Sequence, residues 1–205
     1  MIEMHTVLEV YEPDGFTFWP VAAVDRYGYL RLHGGMTPAE VGLAVQRIAD
    51  YNDVDQEMDQ PRETVAALLE GLFTVDAQVV PGGLRVVDTS TGVTVQPGCC
   101  AGVEEWRCWR NVTADRSGPD LGHDPSPLAE LRGGLVRLTA DCEEPGSPFI
   151  ELPVEEWEQG VDGIERDLRA FLRLAAAWAA ETVPAHAELL GTILAAALEL
   201  SGPSS

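Results

Sequence analysis

The sequence predicts an α+β fold: antiparallel sheet or sheets with packed helices and a long C-terminal helical hairpin. Three observations carry that reading. Short segments rich in β-branched and aromatic residues come in runs and do not alternate strictly with helices. Thr37-Pro38-Ala39-Glu40 is a capping box that opens a helix. From Pro153 onward the apolar period is helical, broken only near Pro184.

The elements follow in order. His5–Val10, Phe16–Val24 and Tyr27–Leu32 read as a three-stranded meander, with turns at Pro13-Asp14-Gly15 and Asp25-Arg26. The helix opened at Thr37 has Pro38 at its first position and runs to Tyr51, with Val41, Ala44, Val45 and Ile48 on one face. Asp50–Asp59 is an acidic loop, and Pro61 opens a second helix striped by Val65, Leu68, Leu69 and Leu72. Val75–Val80, Leu84–Asp88 and Gly92–Val95 read as short strands, then Gly102–Arg110 as a short helix. Asn111–Gly134 is a loop rich in Gly, Pro, Ser and Asp. Leu135–Ala140 and Phe149–Leu152 form a hairpin across the Glu143–Ser147 turn.

Two helices close the chain, Pro153–Glu181 and Pro184–Leu200. Ile164, Leu168, Phe171, Leu172, Ala175 and Trp178 give the first a continuous apolar face. Residues 1–152 thus read as an α+β domain and 153–205 as helices packing on it, a single domain overall.

Charge restricts function. There are 34 acids against 13 basic residues, every one of the latter an arginine, for a net charge of −21. The acids do not form a tail: residues 1–100 hold 15 and residues 101–205 hold 19. Such a field repels phosphate backbones and anionic lipid, so direct nucleic-acid or membrane binding is not expected. It favours a basic protein partner. No apolar run is long enough to span a bilayer, and MIEMHTVLEVYEPDG carries acids where a signal peptide carries bases. A cytoplasmic protein with reduced thiols is the expectation.

The densest chemistry lies in Gln96–Val112, QPGCCAGVEEWRCWRNV, which holds three of four cysteines and two of five tryptophans. Zinc is best supplied by two close ligand pairs, and no C-x-x-C occurs. Cys100 and Cys108 lie about 12 Å apart if the segment between them is an α-helix, too far for one ion. A set drawn from Cys99 or Cys100 with His123 and Cys142 remains, without a local feature that demands it. Cys99 and Cys100 also precede a helix N-terminus, which favours a thiolate, whereas Glu104 and Glu105 in the first turn oppose one. A Cys–His–Asp arrangement can be drawn from Cys99 or Cys100 with His123 and Asp124. The structural reading prevails here: small cysteines fill a crowded strand-to-helix turn, and Trp106 and Trp109 pin the helix to the sheet. Neither a metal nor a cofactor is called for.

The pattern P-G-C-C-x-G-[VL]-E-x-W-x-x-W in Pro97–Trp109, followed by G-H-D-P-S-P in Gly122–Pro127, resembles a group of small acidic proteins of high-GC bacteria. The resemblance covers about thirty residues strongly and the Glu151–Ala180 helix loosely. It implies a shared fold and no defined activity. In general character, small, acidic and without a catalytic signature, the group is similar to immunity proteins for polymorphic toxins.

Asp53-Val-Asp55-Gln-Glu57-Met-Asp59 alternates acids as a calcium loop does, but lacks the glycine at its sixth position and has Thr64 at its twelfth. As a partner-binding surface, Asp50, Asp53, Asp55, Glu57 and Asp59 have better standing. No P-loop, G-x-G-x-x-G, G-x-S-x-G or H-E-x-x-H occurs. The expected function is a non-enzymatic immunity or inhibitor protein that binds a basic toxin or nuclease domain. The alternatives are a thiol- or metal-dependent enzyme centred on Cys99, Cys100, His123 and Asp124, and a DNA mimic that blocks a nucleic-acid-binding protein.

Overall fold

A computed structural model describes residues 1–13, 15–25, 27–53, 63–114 and 118–200. Asp14, Arg26, Asp55, Glu57, Asp59 and Pro61, each used in the sequence reading, lie outside the described residues. The strands are β1 (Ile2–Val10), β2 (Gly28–Arg31), β3 (Gly82–Asp88), β4 (Thr94–Val95), β5 (Leu128–Arg132), β6 (Leu135–Thr139) and β7 (Phe149–Pro153). The α-helices are α1 (Pro38–Tyr51), α2 (Val65–Thr74), α3 (Val154–Thr182) and α4 (Ala187–Ala197), and Val103–Val112 is a 3-10 helix. One sheet has the order β2-β1-β3-β4 and the other β5-β6-β7, so the α+β class holds. No helix among the described residues is long and apolar enough to cross a membrane.

The chain divides into two compact units, the first formed by Met1–Val7 and Pro81–Asp167. Within it β3 and β4 pair antiparallel, Val86 opposite Val95 and Val87 opposite Thr94. Asp88 closes the turn between them. Its carboxylate accepts hydrogen bonds from the Ser90 amide (2.9 Å), the Ser90 hydroxyl (2.6 Å) and the Thr91 hydroxyl (2.7 Å). Those donors, the Ser90 hydroxyl foremost, favour the ionised form and hold its pKa at about 2, against an ordinary 3.8. A depressed carboxyl stabilises the fold above its ordinary value, and that contribution is lost as pH falls through about 2. An NMR titration of Asp88 should show its midpoint there, moved towards 3.8 in Ser90→Ala; an unmoved midpoint would contradict the turn's role.

β5 and β6 form a tight hairpin from Leu128 opposite Thr139 to Arg132 opposite Leu135. Gly133 and Gly134, both at positive φ (60° and 85°), supply the two-residue turn. β5 falls inside a stretch the sequence presents as loop. Its Ala and Glu are weak strand formers, but the Gly-Gly pair is a hairpin signal. The β6–β7 hairpin matches expectation, with Val136 opposite Leu152 and Leu138 opposite Ile150, all four buried.

The 3-10 helix explains the tryptophans. Side chains three apart eclipse on a 3-10 helix, and Val103, Trp106, Trp109 and Val112 follow that spacing and are all buried. The expected helix is therefore present but more tightly wound than an α-helix. Trp157, at the start of α3, is also fully buried and its Nε1–H donates to the Trp109 carbonyl at 3.1 Å.

The second unit comprises Leu8–Val80 and Leu168–Ser205. The capping box of α1 forms as expected: Thr37 Oγ1 accepts from the Glu40 amide (3.3 Å), and Glu40 Oε2 accepts from the Thr37 amide (2.6 Å). The Thr37 amide and, at 2.8 Å, the Thr37 hydroxyl both donate to the Glu40 carboxylate and hold it below its ordinary pKa. Val41, Ala44, Val45 and Ile48 are buried, as the period requires.

Phe16–Val24 is not the central strand of a meander. Phe16 packs edge-on against Phe18 and Trp19, and Trp19 edge-on against Trp178, at 5.1 Å between centroids. The Trp19 Nε1–H donates to the Gly42 carbonyl (2.9 Å) and the Ala22 amide to the Ala39 carbonyl (2.9 Å). The segment thus bonds to α1, and Pro20 lacks the amide a central strand needs. Gly42 is required at this contact, since a Cβ there would stand 2.7 Å from the Pro20 carbonyl oxygen.

Val75–Val80 is likewise not a strand. The Asn52 side chain takes both backbone groups of Val79, donating to its carbonyl at 2.7 Å and accepting from its amide at 2.8 Å. One side-chain amide thereby replaces a partner strand. α2 begins at Val65 with Thr64 as its cap and buries Leu68, Leu69 and Leu72, while Val65 is half-buried. In the remainder of α3, Leu168, Phe171, Ala175 and Trp178 are buried and Leu172 half-buried. α4 starts after Pro184, at Ala187, and buries Leu190, Leu194 and Ala197.

Candidate functional site: a cysteine and histidine corner

The corner lies in the first unit, where Gly98–Cys99 runs alongside Leu121–His123. The Gly98 amide donates to the Leu121 carbonyl at 2.8 Å. Cys99 and His123 exchange two hydrogen bonds, Cys99 N–H to His123 C=O (2.6 Å) and His123 N–H to Cys99 C=O (3.1 Å). Residues paired this way across antiparallel chains project their side chains from the same face.

Close approach of the two backbones depends on glycine. A Cβ at Gly98 would collide with the Pro125 carbonyl and the His123 amide, and one at Gly122 would stand 2.5 Å from the Cys99 carbonyl oxygen. Gly122 also has φ 86°, which favours glycine on its own. Gly98 and Gly122, which read as turn punctuation in PGCC and GHDP, therefore allow the two segments to be clamped together.

In extended chain, Cys99 and Cys100 would point to opposite faces. Cys100 instead adopts φ 65°, the left-handed region, and the turn brings its sulfur within 3.5 Å of the Cys99 sulfur. Such a conformation costs a non-glycine residue about 1–2 kcal/mol. Cys99 Sγ, Cys100 Sγ and one His123 ring nitrogen all lie within 4.8 Å of one another, and all three residues are exposed. His123 Nδ1 lies 3.3 Å from the Asp124 carboxylate.

The structure thus brings together Cys99, Cys100, His123 and Asp124 from two segments distant in sequence. Cys108 is half-buried in the 3-10 helix and Cys142 is exposed on the β6–β7 connection; neither joins the group. The corner can present two sulfurs and an imidazole to a soft ligand. Its side chains stand in solvent, with His123 59% and Asp124 90% exposed, so water is not shielded from the thiols as it is in an enclosed catalytic site.

The acidic residues divide. Asp50 is half-buried and accepts the Tyr11 hydroxyl at 2.6 Å. Tyr11 in turn lies under the Arg47 guanidinium, which donates to the Glu9 carbonyl at 3.0 Å. Asp50 therefore belongs to a packed network, and Asp53 is half-buried beside it in sequence.

Sequence reasoning passed over a second acidic surface. The first half of α3, Val154–Asp167, holds six acids and one arginine, with Glu155, Glu156, Glu158 and Asp162 exposed. Arg110 bridges Asp162 (2.8 Å) and Glu165 (3.4 Å), which leaves the first turn without a bridging cation from that residue. The signal was present as acids at positions 155, 158, 162 and 165, one helical stripe.

No protein-family model matches the chain, and no curated protein or solved structure is significantly similar to it.

Proposed function

We propose that the chain is a non-enzymatic acidic module that binds a basic protein, most concretely an immunity or inhibitor protein for a toxin or nuclease domain. The observation that carries this reading is the charge of −21, from 34 acids against 13 arginines and no lysine. Proteins that act on nucleic acid carry the opposite charge on their working surfaces, so this field attracts that class of partner and repels its substrate. The first turn of α3 adds a displayed acidic surface.

Two neutralised variants test it against a co-purified partner. One carries Glu155→Gln, Glu156→Gln and Glu158→Gln; the other carries Asp53→Asn, Asp55→Asn, Glu57→Gln and Asp59→Asn, sparing Asp50 because of its bond to Tyr11. Charge steering acts on encounter, so at least one variant should associate several-fold more slowly while dissociation is little changed. In the α3 variant, Glu155→Gln and Glu156→Gln, both in the first turn, also remove about 0.3–1 kcal/mol each of helix-dipole stabilisation. Unchanged on-rates in both variants would remove these surfaces from the interface.

A further inference from the structure

We infer that Cys99, Cys100 and His123 form a binding site for one thiophilic divalent ion of the zinc class, held by two thiolates and an imidazole with a fourth position open to solvent or an exogenous ligand. The inference stands apart from the partner-binding reading and rests on geometry. A tetrahedral zinc site with metal–sulfur bonds of about 2.3 Å sets its sulfurs about 3.8 Å apart, and sulfur to nitrogen somewhat less. The two sulfurs here stand 3.5 Å apart, and the three donor atoms span no more than 4.8 Å. All three are surface side chains whose rotation closes the remaining gap.

Three independent features converge on that arrangement. The Cys99–His123 backbone pair places one sulfur and the imidazole on one face. The left-handed turn at Cys100 returns the second sulfur to the first. The Asp124 carboxylate stands 3.3 Å from His123 Nδ1, the kind of partner that orients ligating imidazoles. Packing explains none of the three, because the side chains are exposed. The donor set selects the ion: two thiolates exclude magnesium and calcium, and a d¹⁰ ion with no geometric preference tolerates a site on a turn.

The ion proposed here also differs from the one that sequence spacing excluded. That exclusion concerned Cys100 with Cys108, and Cys108 has no part in this group.

The test uses the full chain, reduced, with cobalt(II) and zinc as probes. Cobalt should bind at one equivalent with thiolate-to-metal charge-transfer absorption, and one equivalent of zinc should displace it. Cys99→Ser, Cys100→Ser and His123→Ala should each weaken binding by at least about 100-fold, and Asp124→Asn by roughly tenfold. Cys108→Ser and Cys142→Ser should bind as the parent does. Cadmium-113 NMR of the unaltered chain provides a measurement that needs no variant, with a shift expected for mixed sulfur–nitrogen coordination. Metal held by the acidic surface alone would show neither the charge-transfer band nor that shift, and this outcome overturns the site. So does a band that survives Cys99→Ser or His123→Ala, or one that Cys108→Ser or Cys142→Ser abolishes.

Discussion

Trp106→Ala is expected to lower stability by about 3–5 kcal/mol, the range for truncating a fully buried aromatic residue. Trp106 has no accessible surface and lies in line with Val103, Trp109 and Val112 along the buried side of the 3-10 helix. A 3-10 helix is intrinsically weak, and this one runs for 10 residues, so side-chain burial holds it. Its loss should propagate, because the Trp109 carbonyl that receives Trp157 Nε1–H is on the same element. Cys108→Ala, at a half-buried position of the same helix, should cost much less. Denaturant melts of the two variants check the contrast. A Trp106→Ala protein that melts like the parent but no longer binds its partner would make the aromatic pair a recognition surface instead.

Gly98→Ala should produce the second large effect, by a different physical route. The added methyl has no free space, since it meets backbone atoms of His123 and Pro125 that cannot swing aside as a side chain would. Overpacking of this kind costs about 1–3 kcal/mol. The expected result is a separation of the Cys99–His123 pair, seen as faster amide exchange at both residues. Gly122→Ala should behave alike, with the added penalty of its positive φ. Gly92→Ala is the control. It shares the positive φ of Gly122 (77°) and has open space around its would-be Cβ, so it should leave the corner intact. If Gly98→Ala exchanges as the parent does, the clamp is not rigid.

How much was legible in the sequence depended on whether a signal was local. The α1 capping box, the β6–β7 hairpin and the C-terminal helices are specified by neighbouring residues, and each formed as read. Phe16–Val24 and Val75–Val80 have strand-like composition, but a distant group satisfied them differently. Trp178 and the backbone of α1 engaged the first, and the amide of Asn52 the second. Neither partner is adjacent in sequence, so propensity alone had no access to it.

The corner shows the same limit. Its four residues were picked out by type, yet Cys99 and His123 are separated by a whole 3-10 helix and the connection that follows it. Their pairing depends on Gly98 and Gly122, which resemble ordinary turn residues until both chains are in place. Spacing rules for metal sites look for ligand pairs on one hairpin, and here a sequence-adjacent pair meets a remote histidine.

The central claim, that this chain works by attracting a basic protein, is tested most directly by the salt dependence of association with a partner recovered from the native host. The partner should carry net positive charge at neutral pH. Its on-rate should fall steeply as ionic strength rises from about 0.01 M, where charges act over about 30 Å, to 0.15 M, where they act over about 8 Å. A partner of net negative charge, or an on-rate that stays constant across that range, would contradict the account.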